Sequence, residues 1–99
     1  MFTYVTNSGL REIQAEPIKI AWRDCFIFKD LNVNTWEDVW NVTDCETGMR
    51  VGVEKTKEFA IRSSEGRLEK HPEAVEKGKE IIKSLGYKPP INKNATQNE

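Results

Sequence analysis

The hydrophobic periodicity of this 99-residue chain changes once, between Glu54 and Thr56. Before that point apolar residues tend to recur at every second position, and after it at every third or fourth. The first spacing belongs to strands with one buried face, the second to amphipathic helices. Strands gathered early and helices gathered late are the pattern of the α+β class. The expected architecture is an antiparallel sheet of four to five strands over roughly 2–54, packed on one face by C-terminal helical segments.

Local signals divide the strand region. Phe2-Thr-Tyr-Val-Thr6 is β-branched and aromatic, Asn7-Ser8-Gly9 signals a turn, and Leu10–Gln14 follows, which predicts an N-terminal hairpin. Pro17 ends that pairing. Ile18, Ile20 and Trp22 alternate with Lys19, Ala21 and Arg23, and Cys25-Phe-Ile-Phe28 continues the apolar run. Arg23-Asp24 lacks the Gly or Asn of a tight hairpin turn, so a bend or bulge is expected there. A helix over 17–30 is the competing reading, because Ile18, Ala21, Trp22 and Cys25 also share a helical face. Leu31–Asn34 reads as a loop, and Thr35-Trp36-Glu37-Asp38 as a turn or one helical turn capped by Thr35. Val39–Thr43 is the next strand, Asp44–Gly48 the connection, and Met49, Val51 and Val53 alternate with polar positions on the returning strand.

Two helices are predicted. Thr56 is an N-cap, Glu58 sits in the first turn, and Phe59, Ala60 and Ile61 open an apolar face. Ser63, Ser64 and Gly66 weaken this helix, which is expected to fray or break before Leu68. Pro72 suits the first position of a second helix over 72–85, with Ala74, Val75, Gly78, Ile81, Ile82 and Leu85 on one face. Gly86-Tyr87 has the form of a left-handed C-cap, and Pro89-Pro90 forbids continuation. One domain is expected over 1–91, with 92–99 a disordered polar tail. The expected core comprises Ile18, Ile20, Trp22, Phe26, Phe28, Trp40, Val42, Val51, Val53, Ile82 and Leu85.

Hydrophobic residues make up 37 % of the chain and charged residues 31 %, the balance of a small soluble protein with a modest core. No run of ~18 apolar residues suggests a membrane-spanning helix. Met1–Ile20 lacks the basic start and apolar stretch of a secretory signal, so a cytoplasmic location is expected. The net charge of −1 supplies no general attraction to nucleic acid or anionic lipid. It is unevenly spread: residues 1–48 carry four basic against eight acidic side chains, and residues 49–99 eleven against eight.

Chemistry-bearing residues are sparse. The single histidine, His71, precedes a proline at a helix start, and nothing in the spacing joins it to Cys25 or Cys45 as a nucleophile pair. The two cysteines are too far apart and too few for a zinc motif, and without an export signal they read as reduced thiols. No glycine-rich phosphate loop opens either helix. The expectation is a non-enzymatic protein with no catalytic, cofactor-binding or metal-binding residues.

The segment Trp40-x-Val42-x-Asp44-x-x-Thr47-Gly48-x-Arg50, followed by Thr56-Lys57-x-x-Ala60, is a hairpin feeding a capped helix. Over about twenty residues it resembles the sheet-plus-helix DNA-binding arms at the N-termini of phage integrases. The resemblance covers the scaffold; those arms place Arg and Lys along their strands, where this chain offers Arg50. A nucleic-acid reading therefore turns to Lys55, Lys57, Arg62, Arg67 and Lys70 as a basic stripe on the first helix, with Glu54, Glu58, Glu65 and Glu69 interleaved. The favoured expectation is instead a small binding or regulatory protein that acts through protein–protein contacts. Its anchors are the acidic and aromatic stretch Trp36, Glu37 and Asp38, with Asp44 and Glu46; Trp36 and Tyr4 are the aromatics expected at the surface. Small proteins of phages and mobile elements often modulate a host protein in this way, and such an origin belongs to the expectation. An unpaired edge on the first hairpin leaves a homodimer open.

Overall fold

The computed structural model describes residues 1–93. Six strands precede two helices, as the change of periodicity requires. β1 (Phe2–Thr6) and β2 (Gly9–Ile13) form a separate two-stranded sheet, while β3 (Glu16–Ile20), β4 (Arg23–Asn32), β5 (Glu37–Asp44) and β6 (Arg50–Glu54) form an antiparallel meander in that order. α1 spans Lys57–Lys70 and α2 spans Glu73–Ser84.

β4 is buried on both faces over Cys25–Phe28, and the alternation there builds both cores. Cys25 and Ile27 point to one side with Ile20 and Val42, where Ala60 and Leu68 of α1 close over them. Phe26 and Phe28 point to the other side with Cys45, where Phe2, Tyr4 and Ile13 of the β1–β2 hairpin cover them. The rings of Phe2 and Phe26 stack at 4.7 Å, and Tyr4 lies over Phe28 at 5.4 Å. The order of layers is thus hairpin, sheet, helix. Tyr4, expected at the surface, is half-buried in this stack.

Several local expectations are corrected. Residues 17–20 and 23–30 are strand rather than helix, as the alternation favoured, but no bulge marks Arg23-Asp24. Instead β3 and β4 join in a tight hairpin with Ile20 opposite Arg23, and Ala21 takes the positive φ of 54° that such a loop demands. Trp22 therefore sits in the loop and is 52 % exposed rather than in the core. β5 begins at Glu37, two residues before the expected start, so Glu37 and Asp38 are strand residues.

α1 does not break before Leu68. Ser64 is fully buried and turns its hydroxyl back to donate to the Ala60 carbonyl, so its polarity is satisfied within the helix. Gly52 of β6 lies directly beneath it, and the missing side chain lets helix and strand approach closely. Phe59, assigned to the apolar face, points out to solvent, and the buried stripe is Ala60, Ser64 and Leu68. Thr56 caps α1 as expected, its hydroxyl accepting from the Phe59 N–H.

It is α1, not α2, that lies on the sheet, against β6, β5 and β3. α2 rests on the β5–β6 turn, where Gly78 faces Thr47 and Met49 and Ile82 is fully buried. Leu85, assigned to the core, is 57 % exposed. α2 ends as its sequence predicts: the Gly86 and Tyr87 N–H groups donate to the carbonyls of Lys83 and Ile82, and Gly86 has φ 92°.

After α2 the chain returns to the body. Ile91 and Asn92 donate their backbone N–H groups to Glu46 and Cys45. The buried Asn92 side chain accepts from the Thr3 N–H at 2.6 Å and donates to the Thr3 and Cys45 carbonyls. With Val5 donating to Gly48, these contacts occupy the outer edge of β1. Asn92 is therefore structural, contrary to its assignment to a disordered tail; the remainder of that expectation, over 94–99, lies outside the described residues.

Candidate functional site

The β4–β5 hairpin outruns its neighbours. β3 pairs with β4 only as far as Ile27, and β6 pairs with β5 only as far as Trp40. Residues 30–32 of β4 and 37–39 of β5 thus pair with each other alone and project three residues, roughly 10 Å, beyond both neighbouring strands. At the tip the N–H groups of Thr35 and Trp36 donate to the Asn32 carbonyl, and the Asn32 side chain accepts from the Asn34 N–H. This closes a four-residue loop, Val33–Trp36, whose last position is left-handed: Trp36 has φ 59°.

That conformation suits Gly, Asn or Asp and is costly for a bulky side chain. Trp36 nevertheless occupies it with 76 % of its surface in solvent. Leu31 and Val33 are exposed beside it. Lys29, Asp30, Glu37 and Asp38 surround these apolar groups and leave the arm with a net negative charge. Glu37 meets Lys55 at 3.5 Å.

Asp44 and Glu46 are not part of this surface. Asp44 ends the same strand as Glu37, seven residues away or roughly 23 Å. It is 4 % exposed, and its two oxygens accept from Arg23 Nε and Nη2 at 2.8 and 2.9 Å and from the Thr47 N–H and hydroxyl. Glu46 accepts a further bond from Arg23 Nη2 and lies near Lys79. Burial acts to lower the Arg23 pKa, but the hydrogen bonds and charges of Asp44 and Glu46 outweigh it and raise the value. The cluster clasps the start of β4 to the β5–β6 turn. The stretch read as one anchor in sequence is thus two sites: an exposed arm bearing Trp36, Glu37 and Asp38, and an ionic clasp holding Asp44 and Glu46.

The basic residues of the alternative reading are dispersed. Lys55 faces Glu37; Lys57 pairs with Glu16 at 2.7 Å and stands over the Trp40 ring. Arg67 donates to the Val51 carbonyl. At ~100° per residue Lys57 lies about 140° from both Arg62 and Lys70 around α1, so the four helix residues do not share one stripe. Of the chemistry-bearing residues, His71 is exposed between the helices beside Glu73, while Cys25 and Cys45 are buried. Burial, with the Asp44 charge, pushes the Cys25 thiol far up, which keeps it protonated and unreactive. Among the described residues no group of three or more His, Cys, Asp or Glu side chains is arranged to hold a metal ion, and no helix is long and apolar enough to cross a membrane.

A concave surface elsewhere on the domain was not anticipated from sequence. α1 and α2, joined at His71-Pro72, border a groove of about 710 Å³ that is also lined by β6 and the β5–β6 turn. Its one trace in the sequence is the apolar stripe of α2 at Ile81, which the sheet leaves exposed. Comparison of the chain with protein-family models, with curated proteins and with solved structures found no match in any of the three.

Proposed function

We propose that this protein is a non-enzymatic binding or regulatory protein that docks on another protein through the β4–β5 arm. The observation that carries the reading is Trp36: the largest side chain type, in a strained left-handed position, held almost entirely in solvent at the tip of a projecting hairpin. A Trp at such a position contributes little to folding, whereas a rigid aromatic with acidic neighbours is the composition of a binding hot spot. The fitting partner presents an apolar pocket with a basic rim, which would receive Trp36 and Leu31 between contacts to Asp30, Glu37 and Asp38. A modulatory role in a host cell, for a protein of phage or mobile-element origin, belongs to the same proposal.

The test is affinity capture from native lysate with the wild type and Trp36→Asn, read by mass spectrometry beside thermal denaturation of both proteins. Asn accepts the left-handed conformation, so the variant should be as stable as the wild type or gain up to ~1 kcal/mol, yet lose its captured protein. Capture that survives the substitution removes the arm from consideration. Retention on duplex DNA with a steep salt dependence would favour the nucleic-acid reading instead.

A further inference from the structure

The groove between α1 and α2 is separate from the arm and has its own chemistry. Its floor and walls are apolar, with Met49 and Val51 from the sheet side, Leu68 from α1, and Val75 and Ile81 from α2. Ile81 is 46 % exposed although it stands on the buried side of the α2 sequence pattern. The rim is cationic: Arg50, Arg67, Lys70 and Lys77 all border the opening. Arg50 and Lys70 form no ion pair among the described residues, and the one acidic side chain among the described lining residues, Asp44, is engaged by Arg23 and Thr47. A chain with net charge −1 thus gathers four unopposed or weakly opposed cations around an apolar slot.

We infer that this groove binds an acidic, amphipathic peptide segment of a partner protein. The volume lies in the ~300–1,000 Å³ range of ligand-sized sites. The apolar floor rewards side chains at helical or alternating spacing, and the rim selects carboxylates flanking them. A nucleic-acid backbone would meet the cations but leave the floor unfilled. Met49 adds an adaptable wall, and Gly66 leaves open space where any side chain would project into the slot.

The probe is a short fluorescein-labelled peptide with Leu and Phe at i, i+3, i+4 spacing and Glu or Asp elsewhere, compared by fluorescence anisotropy with its Lys-substituted counterpart. The acidic peptide should bind and weaken as salt rises, and the basic one should not bind. Ile81→Glu should weaken binding by about tenfold or more, and Arg50→Glu with Lys70→Glu by several-fold with a flatter salt dependence. Gly66→Met should block the slot while raising helix propensity, so its loss of binding cannot come from unfolding. Arg11→Glu, on the opposite layer, should leave binding unchanged. Equal affinity for the two peptides overturns the inference, as does wild-type binding by both Ile81→Glu and Gly66→Met. Concentration-dependent self-association of the protein alone, abolished by Ile81→Glu, would overturn it in favour of a second copy as occupant.

Discussion

Replacing Asn92 with Ala should destabilise the whole domain, although the residue lies seven positions from the end of a polar stretch. Its side chain acts as a surrogate strand residue on the outer edge of β1. It satisfies the Thr3 N–H at 2.6 Å, the Thr3 carbonyl at 2.8 Å and the Cys45 carbonyl at 2.9 Å. Removing it strands the Thr3 N–H and carbonyl at a site that is 8 % exposed and takes from the Cys45 carbonyl one of its two bonds, the Asn92 backbone N–H keeping the other. Each lost bond costs ~0.5–1.5 kcal/mol net, and a buried group left without a partner ~1–3 kcal/mol. Thr3 is only half-buried, so water can reach part of the site, and the sum falls at about 2–4 kcal/mol. That is a large share of the ~5–15 kcal/mol available to a domain of this size and corresponds to a fall in Tm on the order of 10–25 °C. Urea and thermal unfolding followed by near-ultraviolet circular dichroism would measure it. Asn92→Asp should cost at least as much at pH 7, because a carboxylate would then face two carbonyl oxygens. A chain ending at Ile91 should match the Ala variant. If Asn92→Ala and the shortened chain both unfold within ~0.5 kcal/mol of the wild type, the edge-clamp reasoning is wrong.

Two further outcomes follow from packing and burial. Gly52→Val should cost about 2–4 kcal/mol by overpacking, since its side chain would collide with the Ser64 hydroxyl under α1; Gly52→Val with Ser64→Ala should recover part of that loss, and a single variant as stable as the wild type would show that the helix is free to lift. The folded-state pKa of the Cys25 thiol lies far above its ordinary value of 9.0, so its contribution is intact below about pH 9 and is lost as pH rises from there toward the folded value. Between pH 9 and 11 the wild type should therefore lose up to ~1.4 kcal/mol per pH unit more than Cys25→Ala in urea unfolding, and parallel curves for the two proteins would refute the assignment.

Segments whose chemistry is local were legible from the residues alone. Thr56 caps α1, Gly86 ends α2, and the first hairpin and the 39–54 part of the last follow from turn residues and alternation, because each depends on neighbours within a few positions in sequence. The exposure of Trp36 was legible too, as a large aromatic in a polar turn. What failed was whatever depended on distant partners. Ser64 and Gly66 looked like helix breakers until Gly52 made room for the one, and a sheet surface held the helix together. Trp22 and Leu85 had the right period for a core but fall in a loop and beyond the sheet. Asp44 and Glu46 read as surface acids because no sequence pattern announces that Arg23, twenty-one residues upstream, will clasp them. The stronger helical pattern belongs to α2, yet the weaker α1, with small residues at its contacts, is the helix that covers the sheet.

Length, charge and the single change of periodicity bounded this chain to strands first, helices last and a small core, since periodicity records which face of each element is buried. They could not say against what. The projection of the arm is set by where β3 and β6 stop pairing, the division of the acidic stretch by the length of β5, and the basic-rimmed groove by the meeting of two helices with β6 and the β5–β6 turn. Each is a relation between elements far apart in sequence, and burial, charge pairing and concavity come into existence only when those elements meet.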